Sequence, residues 1–288
     1  MDVSDLRGRT ALVTGAGSGI GRASALAFAR RGAALALCDV AEAGLDETAR
    51  AARALGADVL AQRVDVAQPA EMQAFAEAVH ARVPAVDLLM NNAGVGLGGG
   101  LLDTPLADWR WIVDINLMGV VHGLHCFVPA MVRAARGGHV VNVASMAGYV
   151  ASSSMPAYAA TKFAVIGLSE SLREELAPHG IGVTAVCPGV IDTPIVRSSR
   201  MYGAGADARM REQMARAFAR RNYRPERVAE NVLKAIARNR AVAPISPEAW
   251  TFYYLKRFAP GFVRWLGGAM ARRARPAPDV ATRAGGSG

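Results

Sequence analysis

Lysine is nearly absent from this chain: three lysines stand beside 30 arginines in 288 residues. Cysteine is equally scarce, with Cys38, Cys126 and Cys187 far apart and each set in an apolar run. Such spacing excludes a disulfide framework and a cysteine metal centre, and no metal site is expected; buried thiols in a reducing cytoplasm fit it. No charge-free apolar run of about eighteen residues occurs, and the N-terminus opens on Asp2 and Asp5 rather than on a basic patch and an apolar stretch. Neither a signal peptide nor a membrane span is therefore expected. Acidic residues are missing mainly from one end. Residues 1–196 hold 14 Lys+Arg against 18 Asp+Glu, whereas 197–288 hold 19 against 6, so the net charge of +9 belongs to the last third. A solvated exterior, an anionic membrane surface or an acidic partner would each suit that end. It carries no nucleic-acid-binding motif, and no nucleic acid partner is expected.

What is present is an apolar content of 52%, enough for a large core. Short strand-like runs at Thr10–Thr14, Ala34–Cys38, Val59–Val64, Val86–Met90, His139–Ala144 and Gly182–Cys187 alternate with helical stretches at Ile20–Arg31, Ala43–Leu55, Pro69–Arg82, Pro105–Arg136 and Ala157–His179. Alternation of this kind predicts an α/β fold, a doubly wound, mostly parallel sheet with helices on both faces. Gly32, Gly56, Gly137, Gly138 and Gly180 fall just past the helix ends, where a left-handed residue is called for. After Cys187 the pattern loosens at 198–205, turns basic and helical to Arg221, reopens as a helix at Pro225 and ends in a short strand at 241–245. The expected organisation is one Rossmann-like domain over 1–245, an amphipathic extension over 246–275 and a disordered tail over 276–288.

A doubly wound sheet binds ligands beyond the carboxyl ends of its strands. The first strand runs into Thr14-Gly15-Ala16-Gly17-Ser18-Gly19-Ile20-Gly21 and then a helix. Glycines at such a turn let backbone approach a diphosphate, whose charge is favoured at the helix N-terminus. The spacing of Gly15, Gly19 and Gly21 differs from the usual Gly-x-Gly-x-x-Gly fingerprint. Asp39 ends the second strand, where a carboxylate can accept hydrogen bonds from ribose hydroxyls and repel a 2′-phosphate. Asp65 and Val66 take the corresponding place after the third strand, suited to an adenine edge.

Over roughly residues 6–245 the chain resembles the short-chain dehydrogenase/reductase family, in its shorter single-domain type. The matching pieces run in order: Thr14–Gly21, Asp39, Asp65, Asn91-Asn92-Ala93-Gly94, Asn116, Ser145, Tyr158-x-x-x-Lys162, and Pro188-Gly189 followed by Thr193. With so few lysines, a chance Tyr-x-x-x-Lys pair is expected only about 0.06 times. The resemblance implies that Tyr158 transfers the proton, that Lys162 lowers its pKa and binds the nicotinamide ribose, that Ser145 holds the substrate oxygen, and that Asn116 positions a water behind Lys162. It also assigns Gly15, Ser18, Gly19, Ile20, Gly21, Asn92, Ala93, Gly94, Pro188, Gly189, Ile191 and Thr193 to the cofactor.

The function this implies is hydride transfer between NAD and a secondary alcohol or ketone. NAD rather than NADP is expected because Ser18, Asp39 and Val40 stand where phosphate-binding relatives carry a basic residue. The alternatives are an NADP-dependent reductase, a family member that epimerises or dehydrates, and a binding-only NAD sensor or scaffold. Trp250, Tyr254, Phe258, Phe262 and Leu266 recur at four-residue intervals among Lys256, Arg257, Arg264, Arg272 and Arg273, which predicts two short amphipathic helices broken at Pro260-Gly261. They would pack on the domain or on a second subunit, or else touch a membrane surface through 247–275. From that apolar extension a hydrophobic substrate is expected. A homodimer or homotetramer is the expected assembly, and the cytoplasm, with peripheral contact at the inner membrane surface as the variant, the expected location.

Overall fold

A computed structural model describes residues 1–274; the tail at 276–288 lies outside the described residues. The apolar runs form β1 (Thr10–Thr14), β2 (Ala34–Asp39), β3 (Val59–Arg63), β4 (Leu88–Asn91), β5 (Gly138–Val143), β6 (Ile181–Pro188) and β7 (Val242–Ile245). These seven strands make one sheet in the order β3-β2-β1-β4-β5-β6-β7, every pair parallel. The helices are α1 (Gly19–Ala29), α2 (Glu42–Ala54), α3 (Pro69–His80), α4 (Leu106–Val113), α5 (Gly119–Ala134), α6 (Pro156–Leu176), α7 (Ile195–Ser198), α8 (Ala208–Arg221), α9 (Pro225–Ala237), α10 (Pro247–Phe258) and α11 (Pro260–Ala274).

Successive strand residues point to opposite faces, so each strand feeds two cores. Ala11 and Val13 join Phe28, Leu45 and Val232 on the side of α1, α2 and α9. Leu12 joins Phe75, Phe127 and Val165 on the side of α3, α5 and α6. The chain winds outward from β1 to β3, then returns to lay β4 on the other side of β1. At that reversal the connections leave in opposite directions and a crevice opens at the carboxyl edge.

Three features depart from the sequence pattern. The stretch expected as one helix over Pro105–Arg136 holds a π-helical segment at Asp114–Met118 and ends at Ala135, left-handed with φ 51°, before the glycines are reached. This helix, Leu106–Ala134, also has a window with mean hydropathy 1.5 and is long and apolar enough to cross a membrane. The sequence expectation asked for an unbroken apolar run, which Asn116, His122 and His125 interrupt here. Ile112, Val120, Phe127 and Met131 are nonetheless buried in the fold, as in a core helix. Finally, the loose segment after β6 forms α7 and a short parallel pair, Leu97–Gly98 with Arg200–Met201.

The amino edge of the sheet is pinned by a buried carboxylate. Asp87 Oδ2 accepts the Thr10 N–H at 2.9 Å, Oδ1 accepts from Arg9 at 2.8 Å, and its carbonyl accepts the His139 N–H at 2.9 Å. One residue thus joins the starts of β1, β4 and β5. Asp87→Ala is expected to cost about 2 kcal/mol in urea unfolding, chiefly by stranding the Thr10 N–H, since Arg9 is half-exposed and its pair counts for little. A loss below about 0.5 kcal/mol would show that the staple is dispensable.

Candidate active site

Thr14, the last residue of β1, fixes the first turn to β4: its hydroxyl accepts the Asn92 and Ala93 N–H groups, both at 3.0 Å. Asn92 completes the brace by donating its amide to the carbonyls of Thr14 at 2.9 Å and Gly15 at 3.0 Å. Such proximity leaves no room for side chains. A Cβ on Gly15, which sits at φ +64°, would lie 2.7 Å from Ala93 Cα, and one on Gly21 would land on the Gly15 carbonyl oxygen. Gly19 is left-handed too, with Thr193 facing it from the loop after β6.

Helix α1 then starts with no side-chain cap at Ser18 and no acid in its first turn. Its N–H groups and positive dipole end thus face the crevice uncompensated by protein, which fits a diphosphate. Asp39 lies alongside: Oδ2 accepts the Gly17 N–H at 2.7 Å and Oδ1 the Ala41 N–H at 2.9 Å. A carboxylate held by two amides still has lone pairs for ribose hydroxyls. Arg22, the nearest cation in the turn, is committed to the Gly17 and Gly44 carbonyls and to Glu47. Asp65 holds the Ala67 N–H at 3.0 Å beyond β3, and buried Val66 packs against Gly119 at the start of α5. The residues present therefore fit a dinucleotide lying across the carboxyl edge.

On the other side of the crevice, α6 carries Tyr158 and Lys162 on one face, four residues apart. Lys162 is buried, and its Nζ donates to the Val143 carbonyl at 2.9 Å and lies 5.8 Å from the centre of the Tyr158 ring. Burial pushes its pKa from an ordinary 10.5 down to about 8. Burial also pushes the Tyr158 phenol up, while a hydrogen bond with Ser145 pulls it the other way. The ammonium is spent on a backbone carbonyl, and desolvation dominates.

Asn116 sits in the π-helical segment, fully buried. Its amide grips the backbone of Val95 from both sides, accepting from N at 2.8 Å and donating to O at 3.0 Å. Gly94 passes between it and Lys162: a Cβ there would meet Asn116 Oδ1 at 3.2 Å and Lys162 Nζ at 3.4 Å. The π-helical turn, common where function bends a helix, brings Asn116 to this position. The loop Pro188–Thr193 closes the far side, with Ile191 buried in the core.

Sequence reasoning passed over two sets of residues. Glu248, at the start of α10, accepts the Val190 N–H at 2.8 Å and pairs with Arg221, so the extension braces the loop after β6. It is the only acid between Glu230 and Asp279, and that isolation in a basic segment was the available signal. Asp108 is buried and bound by both Arg200 and Tyr202, while Arg200 stacks 3.8 Å from the Trp111 ring. The Tyr202 hydroxyl, then the Arg200 guanidinium, hold the Asp108 pKa below its usual value. This clamp fastens the segment after β6 over α4, beside an apolar cluster of Leu97, Ile112, Val95, Trp109 and Tyr158. No signal in the sequence marked it.

Comparison with known proteins points to one family. A family model described as short chain dehydrogenase matches residues 9–202. The chain is 41% identical over 256 residues to "Probable oxidoreductase EphD" of Mycobacterium tuberculosis, covering 88% of this chain and 43% of that protein. It therefore spans less than half the length of that relative. To SadH of the same species it is 39% identical over 251 residues, covering 86% of this chain and 89% of the other. A short-chain dehydrogenase/reductase from Burkholderia phymatum, solved in complex with NAD, superposes with a TM-score of 0.78 at 33% identity, covering 96% of this chain and 99% of that one.

The buried amine gives a pH prediction. The folded pKa of about 8 lies below the ordinary 10.5, so between these values the folded protein binds fewer protons than the unfolded chain. Stability from this group therefore grows as pH rises through that window and is lost as pH falls to 8. In ligand-free protein labelled at lysine Cε, the resonance missing from Lys162→Met is expected to titrate near 8. A midpoint at the ordinary value would mean that the amine is solvated.

Proposed function

The chain belongs to the short-chain dehydrogenase/reductase family of oxidoreductases, and we propose that it is an NAD-dependent dehydrogenase of apolar secondary alcohols, or reductase of the matching ketones. The observation that carries this reading is the convergence of Ser145, Tyr158 and Lys162 at the crevice edge, with an apolar wall beside them. The bound nicotinamide supplies or accepts the hydride; the chain must hold the oxygen and move its proton.

Tyr158 does the second task at its phenolic oxygen. Raised by burial, the phenol is protonated at neutral pH and is placed to donate to a carbonyl; in the oxidative direction it must give up that proton first. Ser145 holds the substrate oxygen by its hydroxyl and, by its bond to the phenol, eases that ionisation. Lys162, its pKa pushed down to about 8 by burial, exchanges a proton more readily than an ordinary lysine, and would orient the ribose edge. Asn116 holds Val95 and Gly94 in place against it; by the family resemblance, a water held beside it would resupply the proton. The cluster of Leu97, Ile112, Trp109 and Tyr202 supports an apolar substrate, since those side chains would leave a polar one without partners.

NAD over NADP is supported by Asp39, whose carboxylate favours a free hydroxyl over a phosphate, and by Arg22, whose guanidinium is already committed. The expected kcat/KM ratio favours NAD by at least about tenfold, and Asp39→Ala should narrow it. A preference for NADP would overturn this assignment. Tyr158→Phe is expected to lower kcat about a thousandfold on a panel of hydrophobic alcohols while NADH still binds by fluorescence titration. Turnover that survived this change would exclude the proton-transfer role, and no turnover by the parent protein on any alcohol or ketone would favour a binding-only protein.

A further inference from the structure

The two C-terminal helices are only half used by the fold. On the inner side of α10, Ala249 is fully buried and its carbonyl accepts the Tyr149 hydroxyl at 2.8 Å, while Phe252 and Tyr253 lie on the core. Val263 is the buried anchor of α11. The outer side is aromatic and bare: Tyr254 is 51% exposed, Phe258 78%, Phe262 49% and Trp265 62%. Trp250, Tyr254 and Phe258 stack in succession at 5.7 and 6.3 Å along α10, and Phe262 stacks on Trp265 at 5.7 Å on α11, so each helix carries a stack of rings. Scattered exposed side chains need no explanation, whereas two stacks of exposed rings on successive helices mark a contact.

Charge decides what the rings meet. Lys256, Arg257 and Arg264 lie among the rings, and from Ala249 to Ala274 the sequence contains five basic residues and no acid. A second copy seated on this face by a two-fold axis would set the same cations opposite one another, with no carboxylate on the face to pair them. Anionic headgroups above an apolar layer match both features at once: the rings enter the interface, and the guanidinium and ammonium groups meet phosphate. Trp and Tyr, apolar in body with a polar tip, are suited to that boundary. We infer that α10 and α11 lie on the surface of a bilayer rich in anionic lipid, their outer aromatic face inserted. Glu248, on the first turn of α10, holds the Val190 loop, so the docked face sits beside the candidate active site. If the proposed substrate class is right, this is where an apolar alcohol would arrive. Membrane binding itself does not depend on that reading.

The test is flotation of the full-length protein with phosphatidylcholine vesicles, with and without about 30% phosphatidylglycerol. Binding is expected to be at least about tenfold stronger to the anionic vesicles and to weaken as salt rises. Phe258→Ser/Trp265→Ser and, separately, Arg257→Glu/Arg264→Glu should each cut it by at least about tenfold with unchanged melting temperature, because none of these side chains is buried. Failure to float with anionic vesicles at low salt would overturn the inference. So would undiminished flotation of the aromatic variant, or a lipid-free dimer that this variant turns into a monomer, since a second copy would then be the occupant.

Discussion

The first turn of this protein exists only because two backbones come closer than any side chain permits. Gly15 lies against Ala93, and Gly21 against the Gly15 carbonyl, with Thr14 and Asn92 tying the ends of β1 and β4 together across the gap. From this closure follow the direction of α1, the exposure of its uncapped amides and the place of Asp39 beside them. The other wall, with Gly94 threaded between Asn116 and Lys162, hangs from the same end of β4. A crevice built this way owes its shape to main chain and buried amides rather than to mobile side chains.

Much of this was legible because it is periodic or punctuated. The strand runs are apolar on both faces, and the glycines after the first strand have no structural reason to cluster unless a turn must be tight. Each sequence-assigned strand is present, with ends within two residues of those expected. Tyr158 and Lys162 stood out because lysine is rare. What escaped notice depends on contacts between distant segments. Arg200 and Tyr202 meet Asp108 some ninety positions away in sequence, and nothing local in a Gly/Ser/Arg stretch announces a partner. The burial of Tyr158 is of another kind: spacing shows that a lysine shares its helix face, but desolvation depends on what covers both groups.

The segment after β6 gains most from these distant contacts. The clamp at Asp108, the parallel pair with Leu97–Gly98 and the hold of Glu248 on Val190 fasten it at three points to three elements. The cover of the apolar cluster is therefore secured by part-buried polar bonds.

The π-helical segment at Asp114–Met118 interrupts the regular turns of one continuous helix. One residue more than a regular turn shifts the angular phase of everything beyond it by about 100°. Ile112, before the shift, faces the apolar cluster by the candidate active site, while Val120 and Phe127, after it, face the core under the sheet. A regular helix of this length would present a single stripe. By carrying one residue out of step, the same rod serves both pocket and core, and Asn116 stands at the changeover.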